Sequence, residues 1–336
     1  MNTRLYWSLI AGGFAAFQLF RPQYNWNGRR VLITGGSRGL GLRLARDLVK
    51  RGASVAICAR KREELDDALE QLRPHGRAVA YRADVREREQ VEEVVDRVQA
   101  AFGGIDVLVN NAGVIEVGPI DSMEVEDFEQ AMRVMFWGPL YATLAVLPRM
   151  RARREGSIVN ITSVGGKIAV PRLIPYCCAK FAAVALSEGL AAELRPSGVH
   201  CLTVVPGLMR TGSHLGAEFK GNAAAEYAWF SLGATVPGAA MSAGRASRQI
   251  IEAIERRADE VILSVPAQVG ARVHGAFPEL VVPVLGYVHE HVLPAANANR
   301  RTITGRQAER ELDSTLQQVA TGLGRRAARK LNQQLV

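Results

Sequence analysis

Two groups of residues in this 336-residue chain have the types and spacing to do chemistry. The first is Thr34-Gly35-Gly36-Ser37-Arg38-Gly39-Leu40-Gly41, where glycines 35, 39 and 41 allow a tight turn and close approach of backbone to an anion. A helical pattern follows at once, so N–H donors and the positive end of a helix dipole face that turn. Between a strand and a helix, such a turn reads as the phosphate cradle of a dinucleotide site. An NAD site places an acid about 20 residues on, at the end of the second strand. Here that strand ends in Cys58-Ala59-Arg60-Lys61-Arg62, with no acid before Glu63. Arg60, with Arg38 in the turn, can clamp a ribose 2′-phosphate, so NADP(H) is the expected cofactor. The second group is Ser163 and, thirteen residues later, Tyr176-Cys177-Cys178-Ala179-Lys180. Tyr176 and Lys180 are four apart on a predicted helix, which puts a phenol and an ammonium on one face.

Positioning these residues requires a regular scaffold, and the pattern supplies one. Short apolar runs at 30–34, 54–58, 78–81, 105–109, 157–161, 199–205 and 260–265 alternate with helical segments such as Leu40, Leu44, Leu48. Runs that are apolar on both faces and separated by helix-length segments imply βαβ units. The expected fold is α/β: a doubly wound Rossmann fold with a seven-stranded parallel sheet. It occupies 28–265, with a Gly/Ala-rich lid at about 207–240. Residues 1–27 form an N-terminal apolar segment, and 266–336 an extension that is first apolar and then basic, with a terminal helix expected over Gln307–Leu335 or no fixed structure.

Hydrophobic residues are 48% and charged residues 22% of the chain, which excludes disordered, collagen-like and multi-span membrane classes. The net charge of +9 belongs to the ends: +4 within residues 1–30, +5 within 300–336, and none between. A basic end suits an anionic membrane surface or solubility better than sequence reading on DNA, so no nucleic-acid partner is expected. The uncharged run Leu5–Phe20 is short of the roughly 20 residues that span a bilayer. It can be a short membrane anchor, a signal-peptide core or a packed helix. The flanking arginines favour membrane association, and no small-x-small cleavage site supports a signal peptide. The cysteines Cys58, Cys177, Cys178 and Cys201 lack metal or disulfide spacing, which points to reduced thiols in a reducing compartment; the expected location is cytoplasmic, with the arginine-flanked run favouring membrane association. His289-Glu290-His291 is too close-set to suggest a metal, and none is expected.

Further elements complete a family pattern. Asn110-Asn111-Ala112-Gly113 closes the fourth strand, and Pro206-Gly207 leads to Thr211 after the sixth. Together with the glycine turn and Ser163, Tyr176 and Lys180, this set resembles the short-chain dehydrogenase/reductase family over about residues 28–265. The resemblance implies hydride transfer between a nicotinamide and a carbonyl or alcohol. Ser163, Tyr176 and Lys180 are then the catalytic residues. Tyr176 is the proton donor to the developing alkoxide. Lys180 lowers its pKa and holds the nicotinamide ribose, and Ser163 donates to the substrate oxygen. The implied cofactor contacts are Gly35, Ser37, Arg38, Gly39, Leu40, Gly41, Arg60, Asp84 and Val85 (Asp84 at the adenine edge). They continue with Asn111, Ala112, Gly113, Tyr176, Lys180, Pro206, Gly207 and Thr211, the last at the carboxamide.

One position departs from the pattern. The family's usual asparagine, which positions a water behind the lysine, is Met135 here, aligned through Phe136-Trp137-Gly138-Pro139. A thioether does not orient water as an amide does. The alternative reading is therefore an NADP(H)-binding sensor or scaffold with little catalysis. Met209, Leu215, Phe219, Tyr227, Trp229, Phe230 and Leu232 in the lid suggest an apolar substrate or, equally, packing on the domain. By resemblance, a homodimer or homotetramer is expected.

Overall fold

In a computed structural model the apolar runs become strands, the five inner ones almost wholly buried and the two at the sheet edges half-buried. The structure describes residues 24–333, apart from 237, 239, 315–316 and 318–319. Most of the N-terminal apolar segment therefore lies outside the described residues. The chain runs β1 (Arg30–Thr34), α1 (Gly39–Val49), β2 (Ser54–Ala59), α2 (Arg62–Leu72), β3 (Ala78–Arg82), α3 (Arg88–Phe102) and β4 (Val107–Asn110). Then come α4 (Val125–Met132), α5 (Gly138–Arg153), β5 (Gly156–Ile161), α6 (Ile174–Leu194) and β6 (Val199–Pro206). The remainder is α7 (Ala223–Gly233), α8 (Ala243–Glu255), β7 (Glu260–Leu263), α9 (Val265–Ala276), α10 (Pro278–His291), α11 (Gly305–Leu312) and α12 (Gly322–Lys330).

The seven strands form one sheet in the order β7-β6-β5-β4-β1-β2-β3. Every pairing is parallel, with Ile33 beside Ile57 and Val109. This is the doubly wound Rossmann fold expected from the sequence. Alternation along each strand divides the core in two. Val31, Ile33, Val55 and Ile57 pack with Leu44, Leu48, Ile250 and Ile254 on the α1 and α8 face. Leu32, Leu108 and Ile158 pack with Val94, Val98, Val146 and Leu147 on the α3 and α5 face. Several of these side chains are fully buried, and truncating one to alanine costs about 2–5 kcal/mol.

The order of β4, β1 and β2 reverses the direction of winding at β1, which opens a crevice at the carboxyl ends of the strands. A smaller apolar cluster closes one side of it. Glu116–Val117 pairs with Glu218–Phe219, which pairs in turn with Ile303–Thr304. Val117, Phe219, Tyr227, Phe230, Ile303 and Ala308 pack around this three-stranded piece. The extension after β7 thus returns to the domain. The single helix expected over Gln307–Leu335 is instead α11 and α12; α11 ends at Asp313, whose φ of 39° leaves the right-handed helical region.

Candidate active site

The glycine turn has the shape that its sequence requires. Gly35 and Gly39 have φ of 64° and 60°. A β-carbon on Gly35 would lie 2.8 Å from Ala112 Cα, and one on Gly41 would lie 2.3 Å from Gly35 O. Gly36, which the spacing argument passed over, is just as constrained, since a β-carbon there would meet Ile57 Cγ2 at 2.5 Å. Asn111 holds the turn from the side: its Nδ2 donates to Thr34 O at 3.1 Å and Gly35 O at 2.9 Å. The carboxamide is committed to the turn, and Asn111 borders the crevice mainly as a support.

The crevice is a cavity of about 540 Å³, and it gathers most of the residues named from sequence. Gly35, Ser37, Arg38, Gly39, Leu40, Arg60, Asp84 and Val85 line it, as do Asn111, Ala112, Gly113, Ser163, Tyr176, Lys180, Pro206, Gly207 and Thr211. Gly41 alone does not, because it sits behind the turn against Gly35 O. Asp84 is held by Arg86, whose Nη2 donates at 2.7 Å and whose backbone N–H donates at 3.0 Å. Burial raises this carboxyl's pKa, but those hydrogen bonds outweigh it and leave the group below its ordinary value.

The basic end of the cavity contains an acid that the sequence argument missed. Glu64, 4% exposed, accepts from Ser37 Oγ at 3.0 Å and pairs with Arg38 at 3.5 Å and Lys61 at 3.7 Å. It lies on the first turn of α2, where the dipole favours a carboxylate. Arg38 therefore has a partner, whereas Arg60 stands exposed at the rim with no ion pair among the described residues.

At the other end, the loop after β5 brings Ser163 onto the first turns of α6. Glycines make this approach possible: a β-carbon on Gly165 would lie 3.0 Å from Tyr176 Cε1, and one on Gly166 would lie 2.6 Å from Lys180 O. Ser163 lies close enough to Tyr176 to lower its pKa, and Ser163 Oγ accepts from Gly165 N at 3.0 Å. Lys180, 5% exposed, donates from Nζ to Ile161 O at 2.8 Å, and its Nζ lies 5.8 Å from the Tyr176 ring centre.

The electrostatics correct one expectation. Lys180 was expected to draw the Tyr176 pKa down, but burial dominates and pushes the phenol up to about 12, against the lowering effect of Ser163. Burial also lowers Lys180 to about 8. The phenol is held as an acid, beside a cation that has lost much of its hydration. Cys177 is buried with its thiol pushed up to about 11, the state of a packing residue. Met135 is 1% exposed in a π-helical turn, Arg133–Trp137, between α4 and α5. Its Sδ lies 3.8 Å from where a β-carbon on Gly113 would be.

The lid residues divide. Met209, Trp229 and Phe230 line the cavity. Leu215, Phe219, Tyr227 and Leu232 do not, and Phe219 and Tyr227 belong to the satellite core. Trp229 is oriented by Glu226, which accepts from its Nε1 at 2.7 Å. Glu226 also pairs at 3.3 Å with the buried Arg172, and Arg172 donates to Pro294 O. One buried ion pair thus joins the loop before α6, the lid helix and the end of α10, a long-range contact with no signature in local spacing.

Known proteins share this arrangement. A family model for short chain dehydrogenase matches residues 29–218. The chain belongs to that family. It is 34% identical over 182 residues to the uncharacterized oxidoreductase YxjF of Bacillus subtilis, a match covering 54% of this chain and 71% of that protein. The crystal structure of a short-chain dehydrogenase from Streptomyces avermitilis superposes with a TM-score of 0.67 at 30% identity, over 79% of this chain and 98% of the other. A gluconate 5-dehydrogenase from Burkholderia cenocepacia, solved with NADP and tartrate, gives 0.62 at 30% identity over 72% and 96%. The protein is therefore a short-chain dehydrogenase-type oxidoreductase. Its lid helix and carboxy-terminal extension lie beyond the family match, which ends at 218.

Proposed function

We propose that the protein is an NADP(H)-dependent oxidoreductase that interconverts a carbonyl and an alcohol on an apolar substrate. The observation that carries this reading is one cavity holding Ser163, Tyr176 and Lys180 together with the glycine turn and Arg60. The fit to a dinucleotide rests on the turn, where no side chain could replace Gly35 without meeting backbone. When bound, the nicotinamide supplies or accepts the hydride. Ser163, beside Tyr176 in the cavity wall, donates to the substrate oxygen, and Tyr176 delivers its proton to the developing alkoxide. A phenol held up to about 12 stays protonated at neutral pH, which supports carbonyl reduction as the working direction. Lys180, fixed by Ile161 O, orients the ribose and places positive charge behind the phenol. The absence of an acid at the end of β2, and the exposed Arg60, support the 2′-phosphate. Leu173, Met209, Trp229 and Phe230 in the wall support an apolar substrate.

Fluorescence titration with NADPH and NADH tests the cofactor. NADPH is expected to bind at least about tenfold more tightly, a difference of about 1.4 kcal/mol, and Arg60→Ala to erase the preference. Equal binding of both by the wild type would overturn it. Oxidation of NADPH across a panel of ketones and aldehydes tests the activity. Binding without turnover of any of them would favour the second reading, a cofactor-binding sensor or scaffold, for which Met135 is the supporting observation. Exposed Trp137, Leu144 and Phe181 near and along α5 and α6 support a homodimer or homotetramer. The basic chain ends support contact with an anionic membrane surface and a cytoplasmic, membrane-associated location.

A further inference from the structure

The carboxy-terminal segment after α12 lies on the glycine turn. Leu331 O accepts from Gly39 N at 2.8 Å, so it takes up one of the first backbone donors of α1. Asn332 is clamped between two elements: its Nδ2 donates to Ser37 O at 3.3 Å, and its Oδ1 accepts from Gln71 Nε2 at 2.6 Å. Arg46 Nη2 reaches Lys330 O at 3.4 Å. Just before the segment, Ala328 packs so closely on Gly212 that a β-carbon there would lie 2.5 Å from its own. Gln333, 6% exposed, lines the cavity. Its Nε2 lies 2.8 Å from where a β-carbon on Gly39 would be, and Thr211 Cβ lies 4.0 Å from that same point. On its other side, Gln333 Oε1 is 3.7 Å from the β-carbon position of Gly216, with Arg38 Nη1 at 3.6 Å.

We propose that residues 331–333 form a wall of the dinucleotide site and that Gln333 contacts its pyrophosphate. The inference rests on the dinucleotide reading above and adds a residue that the family match does not reach. Its physical basis is an exchange of donors. The Leu331 carbonyl takes the Gly39 N–H, and the Gln333 carboxamide places two N–H donors against the same glycine. The turn keeps its capacity for an anion, and part of that capacity now comes from 294 residues further along the chain.

Three ligands and two substitutions test this. Gln333→Glu puts a carboxylate where an anion must sit, and NADPH and NADH should both bind at least about tenfold more weakly. Gln333→Met keeps the volume and removes the donors, and a roughly tenfold loss corresponds to one charge-assisted hydrogen bond. Adenosine 2′-monophosphate lacks the pyrophosphate and should bind wild type and both variants alike. Thermal unfolding without ligand confirms that the variants are folded, and the milder Met variant decides the case if the Glu variant is not. Unchanged NADPH binding, tighter binding, or an equal loss for adenosine 2′-monophosphate overturns the proposal. A wild type that binds neither NADPH nor NADH overturns the dinucleotide reading itself, whereas wild-type binding that both variants match overturns this inference alone.

Discussion

On the proposed function, Tyr176, Lys180 and Met135 set the chemistry that single residues can perform. Tyr176→Phe removes the only proton on that ring that can be transferred while keeping its packing against Gly165. It is expected to lower the rate of carbonyl reduction about 10²- to 10⁴-fold and to change NADPH affinity far less, as checked by steady-state kinetics and fluorescence titration. Met135→Asn carries two opposed expectations. An amide beside Gly113 restores a group able to orient water behind Lys180, so proton-limited turnover in stopped flow should rise. The same amide enters a wholly buried turn, and urea denaturation should show a cost of about 1–3 kcal/mol. A fall in the rate with cofactor affinity intact would mean that no water relay passes this point.

At the scale of elements, the satellite strands are held by charges buried between them. Lys220 Nζ lies 2.7 and 2.6 Å from the two Asp127 oxygens, and the buried Glu116 carboxyl lies near Asp127, close enough for Asp127 to raise its pKa. Burial, with Asp127 and Glu218 nearby, pushes the Glu116 carboxyl up to about 8, so at neutral pH the folded protein favours its protonated form. Its contribution to stability is complete below the unfolded pKa near 4.5 and is lost as pH rises through about 8. Glu116→Gln mimics the protonated acid and does not titrate. Its Tm relative to wild type should therefore climb between pH 5 and pH 9, by the equivalent of more than about 1.4 kcal/mol if the shift exceeds one pKa unit. A pH-independent difference would place the proton elsewhere. The sequence announced the strands, the glycine turn and the α6 pair because each is a local pattern, with a period of 2 or 3.6 or a fixed short spacing. Glu64, the Arg172–Glu226 pair and the Leu331–Gln333 segment were invisible by the same logic. Each is a polar contact between residues distant in the chain, and hydropathy carries no trace of it. The lid aromatics show the limit from the other side, since one apolar composition supplied both cavity wall and satellite core.

Across the whole molecule, the sheet buries its apolar surface while α9 and α10 leave most of theirs exposed. Val269, Val273, Leu280, Val282, Val284 and Tyr287 on α9 and α10 are exposed, and no described helix is long and apolar enough to cross a membrane. A patch of this kind, on a chain whose ends are basic, leads to an expected result in flotation assays. Binding to vesicles containing phosphatidylserine should exceed binding to phosphatidylcholine vesicles, weaken with salt, and fall when Leu280 and Val284 are both changed to Ser. Indifference to both lipid charge and the double substitution would remove the membrane from the account. The contact between Ser37 and Asn332, 295 positions apart, also has a consequence during synthesis. At about 5–20 residues per second, a ribosome needs roughly 15–60 s after making the glycine turn to make its distant brace. For that interval the turn lacks the brace that Leu331 and Asn332 supply, so on the proposed reading the completed site should arise late in translation.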